Sequence, residues 1–202
     1  MIKLIFFDIG GVLIDIYPNK FFEKIGRLLS LPPTKIRNCF SKKDHDLYEI
    51  GNSSSNIFYK SFNNRLPKRK KIRENEFWSS WDLILGEEKK TIEIIKKLKS
   101  EYSIWLLSNT NPKHINDKIQ ERYIFPSLVD GYIYSYEAGS RKPSDDIYIY
   151  AAKKVNVKPA NCIFIDDLIE NVIAAKKNNF NAIHYKNHNN LILELKSYNI
   201  HL

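Results

Sequence analysis

The sequence predicts an α/β fold, a doubly wound parallel sheet with an inserted helical module, and three observations predict it. Short apolar runs recur at Lys3 to Phe7, Ser103 to Leu107, Gly131 to Ser135, Cys162 to Ile165 and Asn181 to Tyr185, each with the length and near-continuous hydrophobicity of a strand covered on both faces. After about residue 87, helical patterns alternate with these runs, the order that builds βαβ units and a sheet with helices on both sides. Between about residues 16 and 85, in contrast, the apolar spacing is helical and no run reads as a strand.

Taken in order, the first run ends on Asp8 and then Gly10-Gly11, as a buried strand opening into a loop does. Phe21, Ile25, Leu28 and Leu29 then share one helical face. Pro32-Pro33, Gly51-Asn52-Ser53 and Pro67 break the segment into several helices. Trp78 and Trp81 are read as packing between this module and the sheet domain. Downstream, Ile92, Ile95, Leu98 and Tyr102 form one apolar face, Ile147, Tyr150, Ala151 and Val155 a second, and Ile169, Val172 and Ile173 begin a third. The resulting division is residues 1–15 and 86–202 for the sheet domain and 16–85 for the insertion.

Length and composition agree with this. A chain of 202 residues suits one domain carrying a small module, and 43% hydrophobic with 13% aromatic content supports a packed globule over disorder. The net charge of +9 favours anionic partners without choosing among them. The densest basic run, Lys68, Arg69, Lys70, Lys71 and Arg73, has no aromatic residues at stacking intervals, so it reads as a solvated face and nucleic acid is not an expected partner. Cys39 and Cys162 fit no ligand spacing and read as free thiols, Cys162 as a small buried residue. No apolar stretch reaches the ~18 residues of a membrane span, and the apolar residues before Asp8 are too few for a secretory signal. A soluble, cytoplasmic protein with no membrane partner is the expectation.

The groups that carry chemistry sit at strand ends. The first run ends at Asp8, the second at Ser108-Asn109-Thr110 and the fourth at Asp166-Asp167, while Lys142 lies in the loop after the third. In an open parallel sheet these ends share one edge. Each group alone has a bland reading as a turn, cap or surface residue. Two adjacent carboxylates at a buried strand end are different, because they are costly unless a cation or several donors neutralise them. A nucleophilic carboxylate, a hydroxyl, an ammonium and a second acidic cluster are together the parts that bind Mg²⁺ and stabilise a phosphoryl group in transfer.

The segments FFDIGGVLID, WLLSNTN, EAGSRKP and IFIDDLIENVIAA resemble, in that order, the four motifs of the haloacid-dehalogenase-like (HAD) hydrolase superfamily, over nearly the whole chain. The insertion falls where the C1 subgroup carries a helical cap, and LYEIGN resembles a loop of those caps. The resemblance implies a HAD-like Rossmannoid core and assigns Asp8 as the nucleophile that becomes an aspartyl phosphate. It gives the other Asp8 oxygen, the Gly10 carbonyl and Asp167 as Mg²⁺ ligands, Ser108 and the Asn109 amide as phosphate donors, and Lys142 as the neutralising cation. Asp166 and Asn171 would support them. Aligning on Ala174-Ala175 favours Asp167 over Asp166 as the ligand, a choice between neighbours that stays open. The implied substrate is a small phosphorylated metabolite, and the DxGxV first motif is similar to that of some sugar phosphatases.

One departure matters. Most phosphatases of this superfamily carry a second Asp two residues after the nucleophile as proton carrier, and here Gly10 stands there. General acid–base help is worth about a hundred- to ten-thousandfold in rate. Two readings therefore remain: an active phosphatase whose acid function comes from water, the substrate or another residue, Asp15, His45 and Glu49 being unranked candidates, or a weak or inactive binding or regulatory relative. The dehalogenases of the superfamily also lack that Asp, but they need no Mg²⁺ and do not usually keep an acid where Asp167 stands. Of the remaining histidines, His114 reads as a helix-surface residue and His184 as packed.

Overall fold

The computed structural model describes the whole chain, Met1 to Leu202. Strand β1 (Leu4–Phe7) leads to a short strand β2 (Ile14–Ile16) and then to five helices, α1 (Pro18–Leu29), α2 (Pro33–Cys39), α3 (Lys42–Glu49), α4 (Ser55–Arg65) and α5 (Glu74–Trp81). The chain returns through β3 (Leu85–Glu88), which pairs antiparallel with β2. Strands and helices then alternate. They are α6 (Thr91–Leu98), β4 (Ser103–Ser108), α7 (Pro112–His114), a π-helical turn (Ile115–Ile119), α8 (Gln120–Arg122), β5 (Gly131–Tyr134) and α9 (Ser135–Ala138). After these come α10 (Asp145–Val155), β6 (Cys162–Asp166), α11 (Ile169–Lys177), β7 (Asn181–His184) and α12 (His188–Ser197). No helix is long and apolar enough to cross a membrane.

Five strands form one parallel sheet in the order β5-β4-β1-β6-β7. The chain moves outward from β1 through β4 to β5, then returns to the other side of β1 for β6 and β7. This reversal opens a crevice at the carboxyl end of the central strand, where ligands bind in such sheets. Period-two alternation divides the side chains between two layers. Ile5, Phe7, Ile104, Leu106, Ile163 and Ile165 pack on one face, and Leu4, Phe6, Leu107, Cys162 and Phe164 on the other. The five helices between β2 and β3 enclose a separate core, all of it drawn from Phe21 to Trp81. Aromatic rings dominate it, with Phe21 edge-on to Trp81 at 5.1 Å and to Phe77 at 5.4 Å, a geometry that adds quadrupole attraction to burial.

The structure departs from the sequence reading in its details. Strands β2 and β3 are new: three and four residues long, they are too short and too mixed in polarity to stand out. Several helical faces are rotated. Leu28, Tyr150, Ile169 and Ile173 are exposed, and Phe22, Tyr148, Ala174 and Ala175 take the buried places. Where apolar residues are neighbours in sequence, spacing alone does not select which one faces inward. Trp81 does bridge the module to the sheet domain, stacked on His114 at 5.5 Å. Both cysteines are free and buried.

Candidate active site

The sheet edge assembles its groups from separate strands. The Asp8 N–H donates to the Ile165 carbonyl at 2.9 Å, which holds Asp8 at the end of the central strand beside Asp166 and Asp167. Carboxylate oxygens of these three acids lie within 4.8 Å of one another. Lys142 reaches them from the loop after α9. Its Nζ lies 2.9 Å from Asp8 Oδ1, 2.6 Å from Asp166 Oδ2 and 2.8 Å from the Leu107 carbonyl. Two ammonium protons thus have hydrogen-bond acceptors in Leu107 and Asp166, and the Asp8 carboxylate pairs with the charge, which fixes the head group in a buried setting where an unpaired charge is costly. The backbone of Lys142 is held too, because the Asn109 side chain accepts from its N–H and donates to its carbonyl, each at 2.8 Å.

Asp166 and Asp167 have different surroundings. Both oxygens of Asp166 are taken: Oδ1 accepts from the Leu168 N–H at 2.8 Å and the Asn171 amide at 3.0 Å, and Oδ2 from Lys142 and again from Asn171 at 3.1 Å. The Asp167 carboxylate accepts from no other residue, while its backbone carbonyl accepts from His184 Nε2 at 3.0 Å. Gly11 (φ +76°) lies against that carboxylate so closely that a Cβ would occupy its space. The Gly10 carbonyl also accepts no backbone hydrogen bond. Free oxygen donors on Asp8, Asp167 and Gly10 form a hard-ligand set of the kind a small divalent cation such as Mg²⁺ takes, so the residues present fit that ion.

Crowding of like charge shows in the titration. Burial, supported by Asp166 and Asp167, pushes the Asp8 carboxyl up to about 7 against the pull of Lys142. Asp167 is raised by burial and by Asp166. For Lys142, burial opposes the charge, but Asp166 and Asp8 outweigh it and hold the ammonium above its usual range. A cation at the free oxygens relieves this excess of negative charge.

Above the sheet edge lies a cavity of about 570 Å³, lined by Asp8, Lys142 and Asp167 on one side and by Phe40, Glu49 and Trp81 of the insertion on the other. Asn109 and Thr110 reach it, whereas Ser108 is buried at the end of β4 outside its lining. The Asn109 side chain is spent on Lys142, leaving its backbone N–H, which has no acceptor in the chain, as the amide that can meet a ligand. His114 corrects the surface reading: it is buried, its Nδ1 accepts from Asn111 at 3.2 Å and its Nε2 donates to the Trp81 carbonyl at 3.3 Å. Asp15 stands outside the cavity, paired with Lys89 at 3.4 Å.

Sequence reasoning missed Arg141. Its guanidinium lies 3.0 Å from Glu49 Oε2 and forms an ion pair with Asp46, so the residue beside Lys142 grips the insertion. Nothing in the run GSRKP names these partners.

A family model described as haloacid dehalogenase-like hydrolase matches residues 2–179. The chain belongs to the haloacid dehalogenase-like hydrolases. Within that family it is similar to a D-ribitol-5-phosphate phosphatase of Bacteroides thetaiotaomicron, 26% identical with 93% of each chain covered. A HAD family enzyme of the same organism, solved in complex with magnesium and inorganic phosphate, superposes with a TM-score of 0.82 at 22% identity, covering 93% of this chain and 96% of that one. A predicted HAD-like hydrolase of Porphyromonas gingivalis superposes over the full length of both chains, with a TM-score of 0.82 at 24% identity. The haloacid dehalogenase-like hydrolase fold thus extends through the helical insertion as well as the sheet.

Proposed function

We propose that the protein hydrolyses a small phosphomonoester in a Mg²⁺-dependent reaction in which Asp8 takes up the phosphoryl group. The observation that carries this reading is the arrangement around Lys142: one ammonium pinned between Asp8 and the fully bonded Asp166, with the free carboxylate of Asp167 alongside. In that arrangement Asp8 attacks in line from the floor of the cavity. Lys142 neutralises both the nucleophile and the incoming phosphate, and the Asn109 N–H donates to phosphate oxygens, while Ser108, outside the cavity lining, ends the strand that carries Asn109. Asp166 and Asn171 hold Lys142 in place. The other Asp8 oxygen, the Gly10 carbonyl and Asp167 would hold Mg²⁺, which supplies Lewis-acid neutralisation of the phosphoryl charge. Residues 16–85 act as a C1-type cap on a core of 1–15 and 86–202, excluding bulk water and contacting the leaving group.

A sugar or polyol phosphate is the favoured substrate class. The ribitol-phosphate phosphatase relative, the DxGxV first motif and a cavity of small-metabolite size support it. A second reading, a binding or regulatory protein without turnover, is favoured by Gly10 alone. The test is phosphate release from a panel of aryl, sugar and polyol phosphates with Mg²⁺ or with chelator. The proposal requires Mg²⁺-dependent release that Asp8→Asn abolishes. Calorimetric binding of phosphate with Mg²⁺, but no release even at high enzyme concentration, would instead establish the second reading.

A further inference from the structure

Hydrolysis through an aspartyl phosphate moves a proton onto the departing oxygen and another off the attacking water. Gly10 provides no group for either. Among the ionisable side chains of the cavity, Asp8, Lys142 and Asp167 are committed to attack, charge neutralisation and metal. Arg37 and Arg141 never release their protons. His114 has both ring nitrogens bonded within the protein and is pushed down to about 4 by burial. His45 is likewise pushed down to about 4 by burial and Arg141, so at neutral pH it is not the imidazolium that a general acid requires.

Glu49 remains. It is the last residue of α3, is buried, and lines the cavity opposite Asp8. Its neighbours are His45 and Asp46 from its own helix, Arg141 and Lys142 from the loop after α9, and Asp8 from the end of β1. Arg141 Nη2 lies 3.0 Å from Glu49 Oε2 but off hydrogen-bond alignment, and both Glu49 Oε2 and Arg141 Nε are buried without a hydrogen-bond partner. A buried acceptor and a buried donor left open side by side are costly, and both residues line the cavity that holds Asp8.

We propose that Glu49, from the insertion, protonates the leaving oxygen and then deprotonates the attacking water, the two transfers for which Gly10 has no side chain. This rests on the phosphatase reading. In the first step an Asp8 oxygen bonds to phosphorus, the bond from phosphorus to the leaving oxygen breaks, and that oxygen keeps the electron pair and takes the Glu49 proton to depart as an alcohol. In the second, water bonds to phosphorus and gives a proton to the Glu49 carboxylate. The bond from phosphorus to Asp8 breaks, the pair returns to the Asp8 carboxylate, and hydrogen phosphate leaves. Burial pushes the Glu49 carboxyl up to about 7 against the pull of Arg141, which suits a group that must both give and take a proton near neutrality.

The test exploits leaving groups. An aryl phosphate releases a phenolate unaided, whereas glycerol phosphate needs its alkoxide protonated. With Mg²⁺, Glu49→Gln should lose about a hundred- to ten-thousandfold on glycerol phosphate. On p-nitrophenyl phosphate it should give a stoichiometric burst of nitrophenolate followed by slow turnover, with a phosphoryl group retained on the acid-quenched protein. Gly10→Asp added to Glu49→Gln should recover at least tenfold on glycerol phosphate, since a Cβ at Gly10 meets only the flexible Ile16 side chain at 3.1 Å and 3.4 Å. An active wild type with Glu49→Gln equally impaired on both substrates and showing no burst, or unimpaired on both, overturns the role of Glu49, as does a double variant without recovery. A wild type inert on both substrates overturns the phosphatase reading itself.

Discussion

Burial sets the charge of Glu49 in the metal-free protein. Its carboxyl rises from 4.5 to about 7 on folding, so between those pH values the folded state holds a proton that the unfolded chain has released. A raised carboxyl contributes stability that is fully present below about pH 4.5 and is lost as pH climbs to about 7. Glu49→Gln removes this dependence. Urea unfolding should therefore show the variant gaining on the wild type by up to about 3 kcal/mol between pH 4.5 and 7. A difference that stays constant with pH would count against the buried acid. Gly11 offers a second test at this scale. An alanine there has to adopt φ +76° and drive its Cβ into the Asp167 carboxylate, so Gly11→Ala should weaken Mg²⁺ binding by calorimetry more than tenfold, with about 1–2 kcal/mol of strain. Gly10→Ala, free of that clash, should leave the affinity nearly intact, and equal effects of the two would contradict the assignment of Asp167. Asp8, Asp167 and Lys142 were legible in the sequence because each ends or follows an apolar run. The partnership of Glu49 with Arg141 was not, because burial of an acid comes from packing between distant segments, and LYEIGN looks locally like any solvated helix end.

At the scale of elements, a short stem joins the insertion to the sheet domain. Strands β2 and β3 pair there, and Gly86 approaches the Asp15 carbonyl so closely that a Cβ would sit 2.7 Å from that oxygen and 2.6 Å from the Tyr17 ring. Gly86→Ala should cost about 1–3 kcal/mol in urea unfolding, as overpacking does. An unchanged midpoint would show the stem to be looser than its packing. The long parallel strands and the helical character of residues 16–85 were legible because apolar runs and 3.6-residue spacing are local signals. The stem strands were not, since three or four residues such as IDI and LGEE carry no period of their own. Ile169 and Ile173, expected on an apolar face, are exposed because α11 buries the small residues Ala174 and Ala175 together with Asn171, which turns inward to bond Asp166.

At the scale of the molecule, two layers on one sheet and a third core in the insertion leave a crevice between them at the end of β1. The net charge of +9 favours anionic partners in general, while the basic run from Lys68 to Arg73 belongs to the insertion beyond the cavity lining. Sheet order, helical insertion and acidic edge all converge on Asp8 and its covalent role. The measurement that tests it is the mass of the peptide containing Asp8 after rapid acid quench of the enzyme turning over a phosphomonoester with Mg²⁺. The expected result is one added phosphoryl group on Asp8 in the wild type, increased in Glu49→Gln and missing from Asp8→Asn. Turnover that leaves the Asp8 peptide unmodified, or a phosphoryl group on another residue, would contradict the account.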